Sequence, residues 1–178
     1  MSRIVDFYRG ETLHPGGVGI DTIWGWNDRQ LEVSHTYIQW LFPLREPSRA
    51  VPGSPTITEA EARLFRNDPG LRERVLRSFR LMLGFYGFVM KPAADPAGGP
   101  TIAPADDFEA KSRNWLTSAN HNHLRITRIL RSMVLLGLKR EAVEWFAALQ
   151  RVYVANADII GPTTYEYWHD AVEGRYRP

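Results

Sequence analysis

The stretch at residues 114–138 carries the longest helical period in the chain and constrains the fold more than any other segment. At about 100° per residue, its apolar side chains gather on one broad face of a helix. The members of this face include Ile126, Ile129, Leu130, Met133 and Leu136. A face of that width has to pack against a core. The pattern therefore predicts a central helix at about 120–137, against which the other helices pack.

The opposite side of this helix is basic at its start. His121, Arg125 and Arg128 fall within a strip about 60° wide, because spacings of three and four bring side chains into line. The start of a helix also carries unpaired amides and a partial positive charge, which together favour an anionic ligand. The alternative is an internal salt-bridge network with acids such as Glu32 or Asp21. The sequence leaves both interpretations open.

Local start and stop signals predict further helices on either side. The Thr58-x-x-Glu61 pattern is a capping box, and Asp68 followed by Pro69 repeats the signal for a helix start. Helical periods are predicted at 28–42, 59–66, 69–88 and 141–156, with a last short helix before Gly174. No alternating strand pattern is longer than a few residues. We therefore predict an all-α fold, an irregular helical bundle that forms a single domain over residues 1–178.

The segment at 91–104 differs in composition from its surroundings. It contains four prolines, two glycines and few bulky apolar side chains. Such a segment adds little to a packed core, so it is predicted to be a mobile surface loop. We do not expect a domain boundary here, because the apolar rows before and after it are each one-sided.

Composition excludes several classes of protein. The chain has no cysteine, which removes disulfides, thiolate nucleophiles and cysteine-ligated metals. Acids and bases nearly balance at a net charge of +2, so a nucleic-acid partner is not expected. No apolar run reaches the roughly 18 residues of a membrane span. Residues 1–9 lack the apolar core of a signal peptide, so a cytoplasmic location is expected.

The histidines and glycines match no catalytic or metal-binding pattern. His121 and His123 are two positions apart, which places them about 200° apart on a helix, and no histidine pair has the zinc-type i, i+4 spacing. The glycine-rich stretch at 15–19 has neither the Walker spacing nor the dinucleotide fingerprint. We therefore predict no catalytic residue, no metal and no cofactor.

Several long strings resemble the conserved domain of the opioid growth factor receptor family. These are DFYRG at 6–10, HTYIQWLFPLREPS at 35–48, LMLGFYGF at 81–88 and HNHLRITRIL at 121–130. The likeness runs in unbroken order from Asp6 to Trp145 and identifies the chain as a short, bacterial-type member. The resemblance implies a helical domain, binding of the pentapeptide Met-enkephalin, and restraint of cell proliferation from a nuclear-associated location.

Two classes of function follow. In the first, the chain is a non-enzymatic module that binds a peptide or a small anion in a groove beside the central helix. The residues predicted to line this groove are His35, Tyr37, Gln39, Trp40, Trp115, His121, Arg125 and Arg128. The aromatic residues would form its walls, and the two arginines would anchor the ligand. In the second class, the chain is an enzyme or a nucleic-acid-handling protein whose histidines and arginines surround a pocket.

Overall fold

The computed structural model describes residues 3–92 and 99–175. Over these residues the chain forms eleven helices and two short strands, and it divides into two compact units, Met1–Leu81 and Met82–Pro178. None of the helices in the described residues is both long enough and apolar enough to cross a membrane. The prediction of a single domain over residues 1–178 stays a prediction.

The first unit is built from short helices around aromatic side chains. Its elements are α1 (Arg3–Arg9), α2 (Ile20–Trp24), α3 (Asp28–Val33), α4 (Ile38–Leu41), α5 (Glu59–Asn67) and the first turns of α6 (Pro69–Phe85). Phe7 lies 5.2 Å from the ring of Trp40, and Tyr8 lies 5.1 Å from the ring of Phe65, both edge-on. These four side chains are at most 2% exposed. Edge-on aromatic pairs of this kind stabilise a core beyond the area that they bury.

The predicted helix-start signals at α5 and α6 are confirmed. Glu61 N donates to Thr58 Oγ1 at 3.2 Å, and Thr58 N donates to Glu61 Oε2 at 2.7 Å, which completes the capping box. The carboxylate of Asp68 accepts from Gly70 N at 2.8 Å, one residue after Pro69 opens α6. Both signals act within four residues, so distant packing does not override them.

The predicted single helix at 28–42 is wrong, because the structure has α3 and α4 separated by an extended turn. Ser34 has φ −88° and ψ 132°, which is β geometry. The buried Tyr37 donates its hydroxyl to Leu31 O at 3.1 Å. An unbroken helix would give that carbonyl to the amide of His35. The hydrogen bond from the Tyr37 hydroxyl therefore occupies the carbonyl oxygen of Leu31, which a continuous helix would use for its own backbone hydrogen bond.

The second unit contains a hairpin and the longest helices. Its elements after the end of α6 are β1 (Phe88–Lys91), β2 (Thr101–Pro104), α7 (Phe108–Ser112), α8 (His121–Leu135), α9 (Lys139–Ala155), α10 (Ala157–Ile160) and α11 (Pro162–Glu173). Helix α8 packs against both α9 and α11. The apolar face predicted for it is fully buried at Ile126, Ile129, Leu130, Met133 and Leu136. Within this unit α8 is therefore the helix that the others cover.

The all-α prediction is wrong, because β1 and β2 form an antiparallel pair in a mostly helical chain. The register pairs Phe88 with Pro104 and Lys91 with Thr101. The helix predicted to reach residue 88 ends at Phe85, since Gly87 has φ +82°, a left-handed conformation that an α-helix does not use. The proline-rich segment thus begins and ends in strands. Residues 93–98 lie outside the described residues, and the predicted mobility of the segment stays a prediction.

The outer side of β2 is covered by α9. Ala105 N donates to Gly87 O at 2.8 Å, and bonded and non-bonded pairs alternate in an antiparallel ladder. The carbonyl of Ile102 therefore points away from β1, where it accepts from Arg151 NH2 at 3.3 Å. Pro104, two residues later, has no amide hydrogen to offer on the same side.

Candidate functional site

An open groove of about 370 Å³ lies between the start of α8 and α11, and we call it the α8–α11 groove. Its lining residues are Ala119, Asn120, His121, His123, Leu124, Thr127, Thr164 and Tyr167. All of them belong to the second unit. The groove is therefore described by the geometry of that unit alone.

The rim at the start of α8 is held in place by Asn120. Its side-chain oxygen accepts from Asn122 N at 2.9 Å, so Asn120 is the N-cap of α8. Its amide nitrogen donates to Asn114 O at 3.0 Å and to Thr117 Oγ1 at 2.9 Å. Because its amide nitrogen and its amide oxygen are both hydrogen-bonded, the Asn120 side chain fixes the conformation of the chain where α8 begins.

The opposite rim is positioned by Trp168. Its indole Nε1 donates to His123 O at 3.1 Å, and its ring meets the ring of His123 edge-on at 5.8 Å. This anchors α11 beside α8 and leaves Tyr167 on the groove with 44% of its surface exposed. Leu124, which also lines the groove, is 66% exposed. Two large, solvent-exposed apolar side chains therefore line one depression.

His123 forms part of the groove lining, but its ring is tied into the core. Nε2 lies 2.9 Å from Trp115 O, and because a carbonyl only accepts, this nitrogen carries the hydrogen. Burial holds the pKa of His123 below its ordinary value, although the bond to Trp115 acts in the other direction. The residue is therefore a neutral structural donor at neutral pH.

The lowered pKa of His123 predicts a loss of stability in mild acid. The unfolded chain takes up a proton near the ordinary histidine pKa of about 6.5, whereas the folded chain resists it to lower pH. The contribution of neutral His123 to the free energy of unfolding is therefore complete above about pH 6.5, and it is lost as the pH falls through the folded-state pKa. Urea unfolding of wild type and His123→Gln from pH 7.5 to 5 measures this.

We expect a steeper decline with acid for the wild type than for His123→Gln, since the amide keeps a hydrogen-bond donor but does not titrate. His169→Gln is the matched control, because that histidine is more exposed, with 45% of its side chain accessible. Equal slopes for wild type and His123→Gln would show that His123 does not contribute to the pH dependence.

The predicted site residues of the second unit have different surroundings. His121 is exposed and lines the groove. Arg125 is only 7% exposed, and its NH1 donates to Asn122 Oδ1 at 3.3 Å. Arg128 is half-buried. Trp115 is fully buried and donates from Nε1 to Tyr86 O at 3.1 Å. Of these four, His121 is the one that lines the groove.

The other four predicted residues belong to the first unit. Tyr37, Gln39 and Trp40 are at most 4% exposed, whereas His35 is exposed. The ring of Trp40 is covered from one side by Arg3, whose guanidinium carbon lies 5.1 Å from the ring centroid. Three of the four thus have core surroundings. A common ligand site for all eight residues stays a prediction.

The groove residues Leu124, Thr127, Thr164 and Tyr167 are absent from the predicted site. The sequence could have indicated one of them, because Leu124 falls near the polar strip of α8 instead of on its apolar face. An apolar side chain on the polar side of a helix is either covered by a neighbour or left for a partner. Tyr167 has no comparable signal, since its position beside α8 depends on how α11 packs.

Apart from the Tyr167 hydroxyl, the titratable side chains that line the groove are the two histidines His121 and His123. None of the residues that line it is a lysine, arginine, aspartate or glutamate. In the part of the chain that the structure describes, no group of three or more histidine or carboxylate side chains could hold a metal ion. The groove is suited to apolar and hydrogen-bonding contacts with a ligand of low charge.

Comparison with known proteins identifies the family. The model of the opioid growth factor receptor conserved region matches residues 2–172. The chain belongs to this family. It is 43% identical over 140 residues to the opioid growth factor receptor of Rattus norvegicus, an alignment that covers 76% of this chain and 23% of the receptor. The human receptor is 40% identical over 139 residues, which cover 76% of this chain and 20% of the receptor.

A second branch of the family is also similar. The opioid growth factor receptor-like protein 1 of Xenopus tropicalis is 36% identical over 148 residues, which cover 80% of this chain and 27% of that protein. The chain thus spans roughly a quarter or less of the length of the curated receptors that it matches. No solved structure matches. The prediction of a bacterial-type member is not borne out, since the relatives that carry the assignment are vertebrate proteins.

Proposed function

We propose that this chain is a peptide-binding domain without catalytic activity, and that a short peptide binds in the α8–α11 groove. The proposal rests mainly on the exposed pair Leu124 and Tyr167, which line one depression beside His121. Large apolar side chains left in solvent around a concave site are typical of a binding surface. Membership of a family named for a growth factor receptor supports the same class of function.

The size of the groove favours a few side chains of a peptide. A volume of about 370 Å³ is near the lower end of the 300–1,000 Å³ range of small-ligand sites. Burial of apolar area against Leu124 and Tyr167 contributes favourable free energy of binding, which has to exceed the entropy cost of ordering the peptide. Thr164 also lines the groove, and its hydroxyl would orient a peptide backbone by hydrogen bonding.

A peptide is favoured over a small anion at this site because of the charges. Arg125, one of the two predicted anchors, is 7% exposed and bonded to Asn122. The lining itself contains no lysine or arginine. An isolated anion in the groove would therefore lose hydration without gaining a full positive charge in contact. The finer proposal, taken from the family resemblance, is a peptide similar to Met-enkephalin.

A thermal shift measurement with Met-enkephalin tests the proposal. A ligand at 100 times its dissociation constant adds about 2.7 kcal/mol to stability, which corresponds to a rise in Tm of about 5–10 °C for a chain of this size. Tyr167→Ala and Leu124→Ala should each weaken binding by about tenfold or more, because each removes apolar contact area. Both side chains are exposed, so the unliganded Tm should change little.

Val154→Ala is the matched control, since Val154 is 77% exposed and is not among the residues that line the groove. A peptide of the same composition in scrambled order controls for non-specific binding. If the Val154→Ala variant lost as much affinity as Leu124→Ala, or if the scrambled peptide gave the same shift, the groove would not be the binding site.

A further inference from the structure

His123 presents a hydrogen-bond acceptor of fixed polarity to the α8–α11 groove. Its Nε2 carries the hydrogen that is donated to Trp115 O at 2.9 Å, so Nδ1 of the neutral ring has a lone pair and can only accept. In the part of the chain that the structure describes, Nδ1 has no hydrogen-bond partner and is not a fully enclosed atom. His123 lines the groove and is only 5% exposed, so the accessible part of its ring faces the groove.

Thr127 presents a second acceptor one helical turn further along α8. Its hydroxyl donates to His123 O at 3.0 Å, so its hydrogen is already used, whereas lone pairs of Oγ1 remain. Residues four positions apart on a helix are separated by about 6 Å along its axis and lie on the same side. Both residues line the groove, which therefore has two acceptors in line on its α8 wall.

The donors closest in sequence to these acceptors are already hydrogen-bonded. The amide nitrogen of Asn120 uses its two hydrogens on Asn114 O and Thr117 Oγ1. The backbone amides of Asn122 and His123 donate to the side-chain and main-chain oxygens of Asn120, at 2.9 and 3.0 Å. These groups therefore offer no further N–H to a ligand, while His123 Nδ1 can accept one.

The polarity of this wall is suited to an uncharged N–H donor. A ligand ammonium would lose hydration without meeting a carboxylate, since the lining contains no aspartate or glutamate. The partial positive charge at the start of α8 also disfavours a cation. The peptide N–H is a neutral donor that every residue except proline supplies. In an extended peptide, alternate N–H groups point to the same side and lie about 6–7 Å apart, close to the spacing of one helical turn.

We infer that a peptide in the α8–α11 groove donates backbone N–H groups to His123 Nδ1 and Thr127 Oγ1. The inference rests on the proposed function and adds how the backbone of the ligand is recognised. Leu124 and Tyr167 contact the side chains of the peptide, whereas the two acceptors select for unsubstituted amides at fixed positions. A peptide with proline or an N-methyl group at such a position covers the acceptor without pairing it, which lowers affinity.

Titration of the full chain by calorimetry with Met-enkephalin, and with analogues in which one backbone N–H at a time is N-methylated, tests the inference. Wild type should bind at least one analogue about tenfold or more weakly than the parent peptide. His123→Gln and Thr127→Val should each bind the parent peptide about three- to tenfold more weakly. Glutamine keeps a donor at the position of Nε2 but has no atom at that of Nδ1, and valine keeps the shape of threonine without the hydroxyl.

A double-mutant cycle separates a lost hydrogen bond from a steric effect of the methyl group. The analogue that wild type binds weakly should lose no further affinity in the variant that lacks the matching acceptor. Losses that add up for every analogue and for both variants would overturn the inference. Thr127→Ser is the matched control, because it keeps the hydroxyl and should bind the parent peptide within about twofold of wild type. A loss as large as that of Thr127→Val would contradict a role for the hydroxyl.

Leu124→Ala distinguishes failure of this inference from failure of the proposed function. Additive losses, combined with weaker binding to Leu124→Ala, would leave the groove as the peptide site and remove only the backbone contacts. Binding that Leu124→Ala does not weaken, or the absence of binding of Met-enkephalin to wild type, would overturn the proposed function and the inference with it.

Discussion

Replacing Trp115 by alanine should lower the free energy of unfolding by about 3–5 kcal/mol, the range for truncating a buried tryptophan. Its side chain is fully buried, with the rings of Tyr86, Phe88, Phe108 and His123 at centroid distances of 6.0–6.4 Å. Its Nε1 also satisfies Tyr86 O, and its own carbonyl satisfies His123. The variant therefore leaves a cavity and a buried carbonyl without its donor.

Equilibrium unfolding in urea measures this effect, and Trp115→Phe separates its two causes. Phenylalanine keeps most of the aromatic volume but not the donor to Tyr86 O, so a smaller loss of about 1–3 kcal/mol is expected. A change below about 1 kcal/mol in Trp115→Ala would mean that the indole is not a core residue. The role of ligand wall, which the sequence suggested, would then regain support.

Gly87→Ala should be the second most damaging of the changes considered. Gly87 has φ +82°, which costs a non-glycine residue about 1–2 kcal/mol. An added Cβ would lie 3.0 Å from Phe108 Cα and 3.2 Å from Lys111 Cβ. Because one of these atoms belongs to the backbone, α7 would have to shift, at a further cost of about 1–3 kcal/mol. Thermal unfolding should show a total loss of about 2–5 kcal/mol.

Gly174→Ala is the matched control for that variant. Gly174 has the left-handed conformation φ +70°, ψ 15°, yet nothing lies within 4 Å of an added Cβ. This variant should lose only the part of the free energy of unfolding that is due to the positive φ, about 1–2 kcal/mol. Equal losses at the two positions would show that the contact with Phe108 is unimportant and that Gly87 serves only to end α6.

Features of the fold that depend on neighbouring residues could be predicted from the sequence. The capping box at Thr58 and Glu61 and the start of α6 after Asp68 involve bonds within four residues, so the local pattern determines them. The apolar face of α8 was predictable for a related reason. A helix 15 residues long repeats its period often enough to specify which side is buried.

Features that depend on distant contacts could not be predicted in this way. The break between α3 and α4 depends on the hydroxyl of Tyr37, whose ring packs on Trp26 at 5.4 Å. The strands β1 and β2 have four residues each and show no clean alternation, because β1 buries Phe88 and exposes Val89 but leaves Met90 only partly covered. Each strand is stabilised by its pairing with the other strand. The sequence between them does not contain a motif that predicts a hairpin.

The candidate site shows the same division. His121 was identified from the polar strip of α8, and it does line the groove. Arg125 lies on the same strip but is buried, since a strip defined by angle alone does not specify which neighbouring element covers it. Tyr167 was missed, because its place beside Leu124 is set by the bond from Trp168 to His123 O.

The β2 edge of the small sheet, which α9 covers, affects how readily the protein forms intermolecular β-structure at high concentration. A two-stranded ribbon has two rims from which intermolecular β-structure can grow. On the β2 side, Pro104 lacks the donor that an incoming chain would need, and Arg151 already occupies the acceptor of Ile102. Pro104 and the guanidinium of Arg151 therefore prevent the addition of further strands at the β2 edge.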